Sequence, residues 1–345
     1  MEQIPLGDTG RLTTRLGFGC SSLMGASSRR ASLAILESAY DAGIRHFDVA
    51  PMYGYGEAES CLGEFLQRHR DHVTITTKYG IPPAKKSSLI SVGRRIAGPI
   101  VKSFPSLKQR LASTANAATH NPERATFTPS EAKASLERSL TALRTDRIDL
   151  WLLHEVSAVD LLDDALLDML EDEVKKGTIG TFGIGSEAAK IPALLAEHPG
   201  YCRTLQYEWS VLNRPLDPSI DSSIDPSNEA TPLSGRKRFR IHHRALTMNF
   251  RAVYSALSQD KQLCQHWSAS TYADLSNPKD LARLMLKASL VMNPNSVVLF
   301  SSKNSQHIQT NVQVAGDRSL DDPARQLYEL VQGSRDQLLR GSAGI

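Results

Sequence analysis

The chain predicts a (β/α)8 barrel of the TIM-barrel class, on three observations. Short β-rich runs alternate with amphipathic helical stretches along its 345 residues. Eight strand candidates can be counted, and most are followed by a helix. Parallel strands need crossover connections of the kind helices supply, and eight such units in about this length is what the barrel requires. An open doubly wound sheet is the rival architecture for the same alternation.

The elements follow in order. "RLGFGC" reads as the first strand, and "RRASLAILESAYDAG" as a helix whose glycine is the stop signal. "RHFDVA" is the second strand, with "EAESCLGEFLQRH" the helix behind it. "VTITTK" is a strand because β-branched side chains fill it. "PSEAKASLERSLTALRT" starts with Pro129 near its first turn, where a missing N–H costs nothing. "IDLWLLH" and "LLDDALLDMLEDEVKKG" form the next strand–helix unit. "IGTFGIGS", "AAKIPALLAEH" and "RTLQYE" continue strand, helix, strand. "FRIHH" and "SVVLFSS" are the last two strands, with "PKDLARLMLKASLVM" a helix between them. The whole chain, 1–345, is read as one barrel domain.

Two stretches break the rhythm, at about 82–128 after the third strand and 213–238 after the sixth. The first carries Lys85, Lys86, Arg94, Arg95, Lys102, Lys108 and Arg110, with a short-helix candidate in "LISVGRRIAGPIVKSF". The second is polar and rich in Ser and Pro. Loops that follow barrel strands lie on the catalytic face, where they shape substrate access. A solvated basic face is the plain alternative for the first.

Composition narrows the class of function. An apolar fraction of 41% and a charged fraction of 22% are those of an ordinary soluble globular protein. A net charge of +3 does not argue for nucleic acid. No run of apolar residues is long enough for a membrane span. The start "MEQIPLGDTGRLTT" does not read as a secretory signal. Cys20, Cys61, Cys202 and Cys264 are scattered with no zinc-ligand spacing, so buried free thiols, a cytoplasmic location and no metal site are expected.

The ends of the early strands carry the chemistry. Asp48 ends the second strand, Tyr53 lies in the loop behind it, Lys78 ends the third and His154 ends the fourth. In a barrel these ends are neighbours on one rim. Each alone has a structural explanation: a turn cap, loop packing, an exposed strand end, a satisfied core histidine. Together they form a proton-transfer set. A free phenol has a pKa near ~10, and a lysine ammonium beside it lowers that value. An aspartate keeps the ammonium charged, and a histidine across the site orients a carbonyl oxygen. The set suits protonation of a carbonyl oxygen while hydride reaches carbon.

A second pattern competes. "GIGSEA" (183–188) fits a G-x-G-x-x-A dinucleotide fingerprint, with Glu208 some twenty residues on. Four strand–helix units precede it, whereas a Rossmann site uses the first unit of its domain. The glycines then read as a barrel loop that approaches a cofactor closely.

At these residues the sequence resembles the aldo-keto reductase family. "GIRHFDVAPMYGYGEAE" is similar to the family's most specific signature, "ITTKYG" to its lysine strand and "DRIDLWLLHE" to the strand ending in its histidine. "GTIGTFGIGSEAA", "LQYEWSVLN" and "SVVLFSSKNSQHIQTNV" fall in the family's order. The resemblance implies a catalytic tetrad of Asp48, Tyr53, Lys78 and His154. It also implies a nicotinamide cofactor, NADPH before NADH, lying along the C-terminal rim without a Rossmann fold. Gly19 and Asp48 would line its site, and Ser186 and Gln206 match positions that hold the carboxamide. Ser302, Lys303, Gln306 and Asn311 match those around the 2′-phosphate and adenine. A helix start near Asn304 behind Lys303 suits a phosphate dianion.

Two segments depart from the family pattern. Glu187 stands where many members carry Asn. "HHRAL" replaces a Tyr-Ser-Pro-Leu type segment, placing His243 at the nicotinamide-stacking position, Arg244 beside the pyrophosphate and Leu246 close behind. The expected function is reduction of a small-molecule carbonyl by hydride transfer, with Tyr53 as general acid. The rival from another class is a non-catalytic NADP(H)-binding regulatory or redox-sensing barrel.

Overall fold

The computed structural model describes residues 1–25, 27–83, 125–214, 238–247 and 249–342. An antiparallel hairpin of β1 (Gln3–Pro5) and β2 (Leu12–Thr14) comes first. Eight parallel strands then close a barrel in the order β10-β3-β4-β5-β6-β7-β8-β9. These are β3 (Leu16–Gly19), β4 (His46–Asp48), β5 (Thr74–Tyr79), β6 (Ile148–His154), β7 (Ile179–Gly185), β8 (Thr204–Glu208), β9 (Phe239–His243) and β10 (Ser296–Phe300). The predicted (β/α)8 barrel is the observed fold, and closure excludes both the open sheet and a Rossmann reading of Gly183 and Gly185, which lie inside β7.

The helices are α1 (Arg29–Asp41), α2 (Ala58–His69), α3 (Pro129–Leu143), α4 (Ala165–Lys176) and α5 (Ile191–Glu197). They continue as α6 (Asn249–Gln259), α7 (Lys261–Thr271), α8 (Pro278–Met292), α9 (Ser305–Gly316), α10 (Asp321–Gly333) and α11 (Arg335–Ser342). Local signals set their ends. The Ser28 hydroxyl accepts from Ala31 N at 3.2 Å to start α1, and Gly43, at φ +96°, follows its end. Thr128 caps α3, with Pro129 in the first turn and left-handed Arg144 closing the helix. None of the described helices is long and apolar enough to cross a membrane.

Strand alternation builds two cores. Inside the barrel, Leu150, Leu152, Phe239, Ile241, Val297 and Leu299 pack on Ile4 and Leu6, so the N-terminal hairpin plugs one end. Outside, Phe47, Ile75, Trp151, Phe182 and Ile184 face helical Leu36, Phe65 and Leu136. The other end of the barrel carries the C-terminal ends of the strands and the loops that follow them.

The expected insertions leave from the C-terminal ends of β5 and β8, and 84–124 and 215–237 of them lie outside the described residues. The hairpin and α6, α7, α10 and α11 are additions to the sequence reading. The first turn signal, Gly7 and Gly10 at φ +54° and +72°, is present in "GDTG" but carries no long periodic pattern beside it. Helix α4 starts at Ala165, later than its apolar run suggests, because an Asp-rich turn precedes it.

Candidate active site

Strand alternation turns Asp48 and Lys78 inward at the C-terminal end. Their neighbours Phe47 and Thr77 face outward, Phe47 into the outer core and Thr77 onto α2. Lys78 Nζ donates to Asp48 Oδ1 at 2.5 Å and to the Val49 carbonyl at 3.1 Å. Asp48 Oδ2 accepts from Gln206 Nε2 at 2.7 Å. The ion pair is only 2% and 4% exposed, so water screens it little and each carboxylate oxygen is satisfied by the protein.

Tyr53 opens a tight turn, Tyr53–Gly56, that leads into α2. Gly54 has φ +59°, and a Cβ there would sit 2.7 Å from both Leu23 O and Met24 Cβ. The turn can therefore close against the loop after β3 only with glycine at this position. It brings the Tyr53 ring centroid to 5.4 Å from Lys78 Nζ.

The electrostatics correct one expectation. Lys78 was expected to bring the phenol pKa down. Instead, Tyr53 is shifted upward, because burial disfavours the phenolate by more than the Lys78 charge and hydrogen bond favour it, and Asp48 adds to the rise. Burial also opposes the Lys78 ammonium, but Asp48 and Tyr53 outweigh it and its pKa is raised. The resting site thus holds a protonated phenol against a charged ammonium.

His154 is the last residue of β6, paired in register with Gly185. Burial, then Lys78 and His243, push its pKa down to about 3, so the imidazole is neutral. Its buried Nδ1 has no hydrogen-bond partner.

His243 ends β9 opposite Glu208, and burial, then Arg244, lowers its pKa to about 4. The electrostatic influence of Asp48 and Lys78 on it places it at the same mouth. Arg244 is exposed at φ +60°, and Leu246 is half-buried against the outer core. Ser186 and Gln206 are both buried, and Ser186 N donates to Gln206 O at 3.0 Å. The Ser186 hydroxyl donates to the Val156 carbonyl at 2.8 Å.

The last cluster gathers where β10 meets α9. Asn304 caps α9 by accepting from Gln306 N at 2.8 Å. Exposed Lys303 and Gln306 and half-buried Ser302 surround that helix start, while Asn311 sits further along the helix, half-buried. Ser301, absent from the sequence reading, donates to Gly19 O at 2.6 Å. A Cβ on Gly19 would lie 2.9 Å from that hydroxyl, so a bare backbone surface remains at the mouth. Cys20 and Glu59 are further buried groups beside the tetrad that sequence reasoning missed. Cys20 has no motif, and Glu59 closes the signature segment 43–59 without being singled out there; burial and neighbours mark both. Glu208 accepts weakly from Ala188 N at 3.3 Å.

Comparisons with known proteins bear on the family and the fold. The model of the aldo/keto reductase family matches residues 15–220. Pyridoxal 4-dehydrogenase of Microbacterium luteolum is 45% identical over 82 residues, 23% of this chain and 24% of that protein. D-threo-aldose 1-dehydrogenase of a Pseudomonas species is 35% identical over 182 residues, 50% of this chain and 49% of that one. The chain thus spans about a quarter of the first relative's length and about half of the second's. Among solved structures, an aldo-keto reductase of Bacillus halodurans in its holo form superposes with TM-score 0.64 at 17% identity, covering 96% of both chains. One from Klebsiella pneumoniae, in complex with NADPH, superposes with TM-score 0.58 at 17% identity, covering 96% of this chain and 95% of that one.

Proposed function

The chain belongs to the aldo/keto reductase family, and from that premise we propose that it is an NADPH-dependent oxidoreductase that reduces an aldehyde or ketone to the alcohol, with Tyr53 as general acid. The observation that carries the reading is the buried Asp48–Lys78 pair with the Tyr53 ring 5.4 Å from the ammonium.

The residues present fit the cofactor. Buried Ser186 and Gln206 offer a hydroxyl oxygen and an amide oxygen for the carboxamide, and Gly19 offers a bare backbone surface that a Cβ would obstruct. The capped start of α9, with Ser302, Lys303 and Gln306 around it, suits a phosphate, and Asn311 would meet the adenine end. His243 and Leu246 would flank the ring, and Arg244 a diphosphate. When bound, the nicotinamide supplies the hydride that passes to the carbonyl carbon.

The side chains handle the oxygen. Neutral His154 donates an N–H to the carbonyl oxygen and fixes its position. Tyr53 passes its proton to that oxygen as negative charge builds there. Lys78 then stabilises the phenolate, and Asp48 keeps the ammonium charged and aimed. The raised pKa of Tyr53 keeps the phenol in the protonated form that reduction uses.

The test is a fluorescence titration with NADPH and NADH, followed by cofactor consumption with a panel of carbonyls. The relatives' names put pyridoxal and free aldoses on that panel and call for assays in both directions. Turnover with at least one substrate is expected. Tight cofactor binding without turnover on any of them would replace this reading with the regulatory barrel.

A further inference from the structure

Glu59 is a buried carboxyl for which the proposed chemistry has no task. It lies in the first turn of α2, is 7% exposed, and accepts from Thr77 Oγ1 at 2.7 Å. Thr77 precedes Lys78 on β5 and projects outward onto the helix layer. Helix α2 begins at Ala58, directly behind the Tyr53–Gly56 turn and Glu57. The Glu59–Thr77 bond therefore joins the segment that carries Tyr53 to the strand that carries Lys78.

Within the turn, Tyr53 N donates to Ala50 O at 3.0 Å and the Tyr53 ring packs on the outer core. Tyr53 is half-buried, and both Gly54 and Tyr55 sit in left-handed conformations, at φ 59° and 58°. One side is set by the close approach of Gly54 to Leu23 and Met24. The other depends on where α2 starts. We infer that Glu59 is a positioning residue, whose hydrogen bond to Thr77 sets the distance between the Tyr53 phenol and the Lys78 ammonium. The inference rests on the catalytic reading of those two residues.

The surroundings favour such a clamp. Thr77 faces Glu59 from β5, the Lys78 charge acts on it from the inner side of that strand, and Ser139 and Arg138 face it from α3. Burial raises the Glu59 pKa more than these groups lower it. An amide at this position keeps the acceptor oxygen and the shape, whereas an aliphatic side chain keeps only the shape.

The experiment compares Glu59→Leu, Glu59→Gln and Thr77→Val in the full chain. Proton transfer is sensitive to displacements on the order of an ångström. For Glu59→Leu and Thr77→Val, kcat is expected to fall about tenfold with cofactor affinity unchanged. Tyrosinate absorbance, with Tyr53→Phe as the blank, is expected to show Tyr53 titrating about one unit higher as Lys78 recedes. Glu59→Gln restores both values. If Glu59→Leu fails to fold, the near-isosteric Thr77→Val decides the matter. Folded Leu and Val variants with a lower melting temperature but wild-type kcat and Tyr53 titration would overturn the inference. Should the wild type turn over no carbonyl at all, the catalytic reading fails, and the Tyr53 titration still judges the clamp.

Discussion

The two ends of the barrel use the same kinds of side chain to opposite purposes. At the closed N-terminal end, Asp149 is 3% exposed and takes hydrogen bonds from Arg11 at 2.6 Å and from Ile75 N at 2.8 Å, with Arg70 3.1 Å away. His46 is fully buried there, with Thr74 and Thr13 at 3.1 and 3.3 Å from Nδ1 and Thr76 at 3.3 Å from Nε2. At the C-terminal end the Asp48–Lys78 pair is equally dry, but its ammonium also reaches a phenol, and His154 keeps an orphaned Nδ1. Burial alone does not separate them, since both histidines are driven neutral, to about 4 and about 3. For the two histidines the difference is completeness, since both His46 nitrogens have partners and His154 Nδ1 has none. A polar group with all its partners in the protein has nothing left to offer a ligand, whereas one left short is available to it.

The largest expected effect breaks the comparison at the C-terminal end. Tyr53→Phe removes the proton donor and is expected to cost turnover by roughly 10²–10⁴-fold. NADPH affinity by fluorescence titration should stay within about twofold, since Tyr53 is not among the residues placed around the cofactor. A Phe variant with wild-type kcat would end the assignment of the acid.

The mirror experiment is Asp149→Ala at the closed end. It removes the carboxylate facing Arg70 and Arg11, which keep their backbone carbonyl partners, and should lower unfolding free energy by about 2 kcal/mol. Urea midpoints measure this loss, and kcat per folded molecule is expected to remain unchanged. A drop in kcat at constant stability would show that the two ends are not separable.

Acid should weaken both ends together. The folded pKa values of His46 and His154 lie below the ordinary 6.5, so between these values the unfolded chain binds more protons. The stability they contribute is complete above about 6.5 and is lost as pH falls toward 4 and 3. Each contributes up to about 1.4 kcal/mol per pH unit. Urea midpoints at pH 7 and pH 5 should differ accordingly. Replacing either histidine by Gln should flatten the slope, but only His154→Gln should raise KM for the carbonyl. A slope that stays steep in both variants would assign the acid sensitivity elsewhere.

The smallest effect is at the rim. Lys303→Ala is expected to reduce the preference for NADPH over NADH about tenfold, through loss of one charge-assisted contact. Paired cofactor titrations read it, and an unchanged ratio would move the phosphate site off the start of α9.

Much of this contrast was legible along the chain. Eight strands could be placed because β-branched and apolar runs are local properties, and the candidate site because Asp48 and His154 end β4 and β6 and Lys78 stands one residue before the end of β5. Asn304 was readable as a helix start because a cap is a local hydrogen bond. The hairpin plug was not legible, since β1 and β2 are each only three residues long and gain their burial from β6, β9 and β10. The partner of Glu59, the last residue of the signature segment, was equally hidden. Glu59 reads as one more acid on an amphipathic helix until α2 docks and turns it onto Thr77.

The sequence by itself determined the strand–helix alternation, the barrel it implies and the identity of the groups at the strand ends. Those follow from periodicity, propensity and capping, which act over a few residues. Only the tertiary structure decided the charge state of the site. Neighbouring charge alone would have lowered the Tyr53 pKa; barrel closure buries the phenol, and desolvation prevails. Desolvation depends on what the whole fold excludes, and no short stretch of sequence records that.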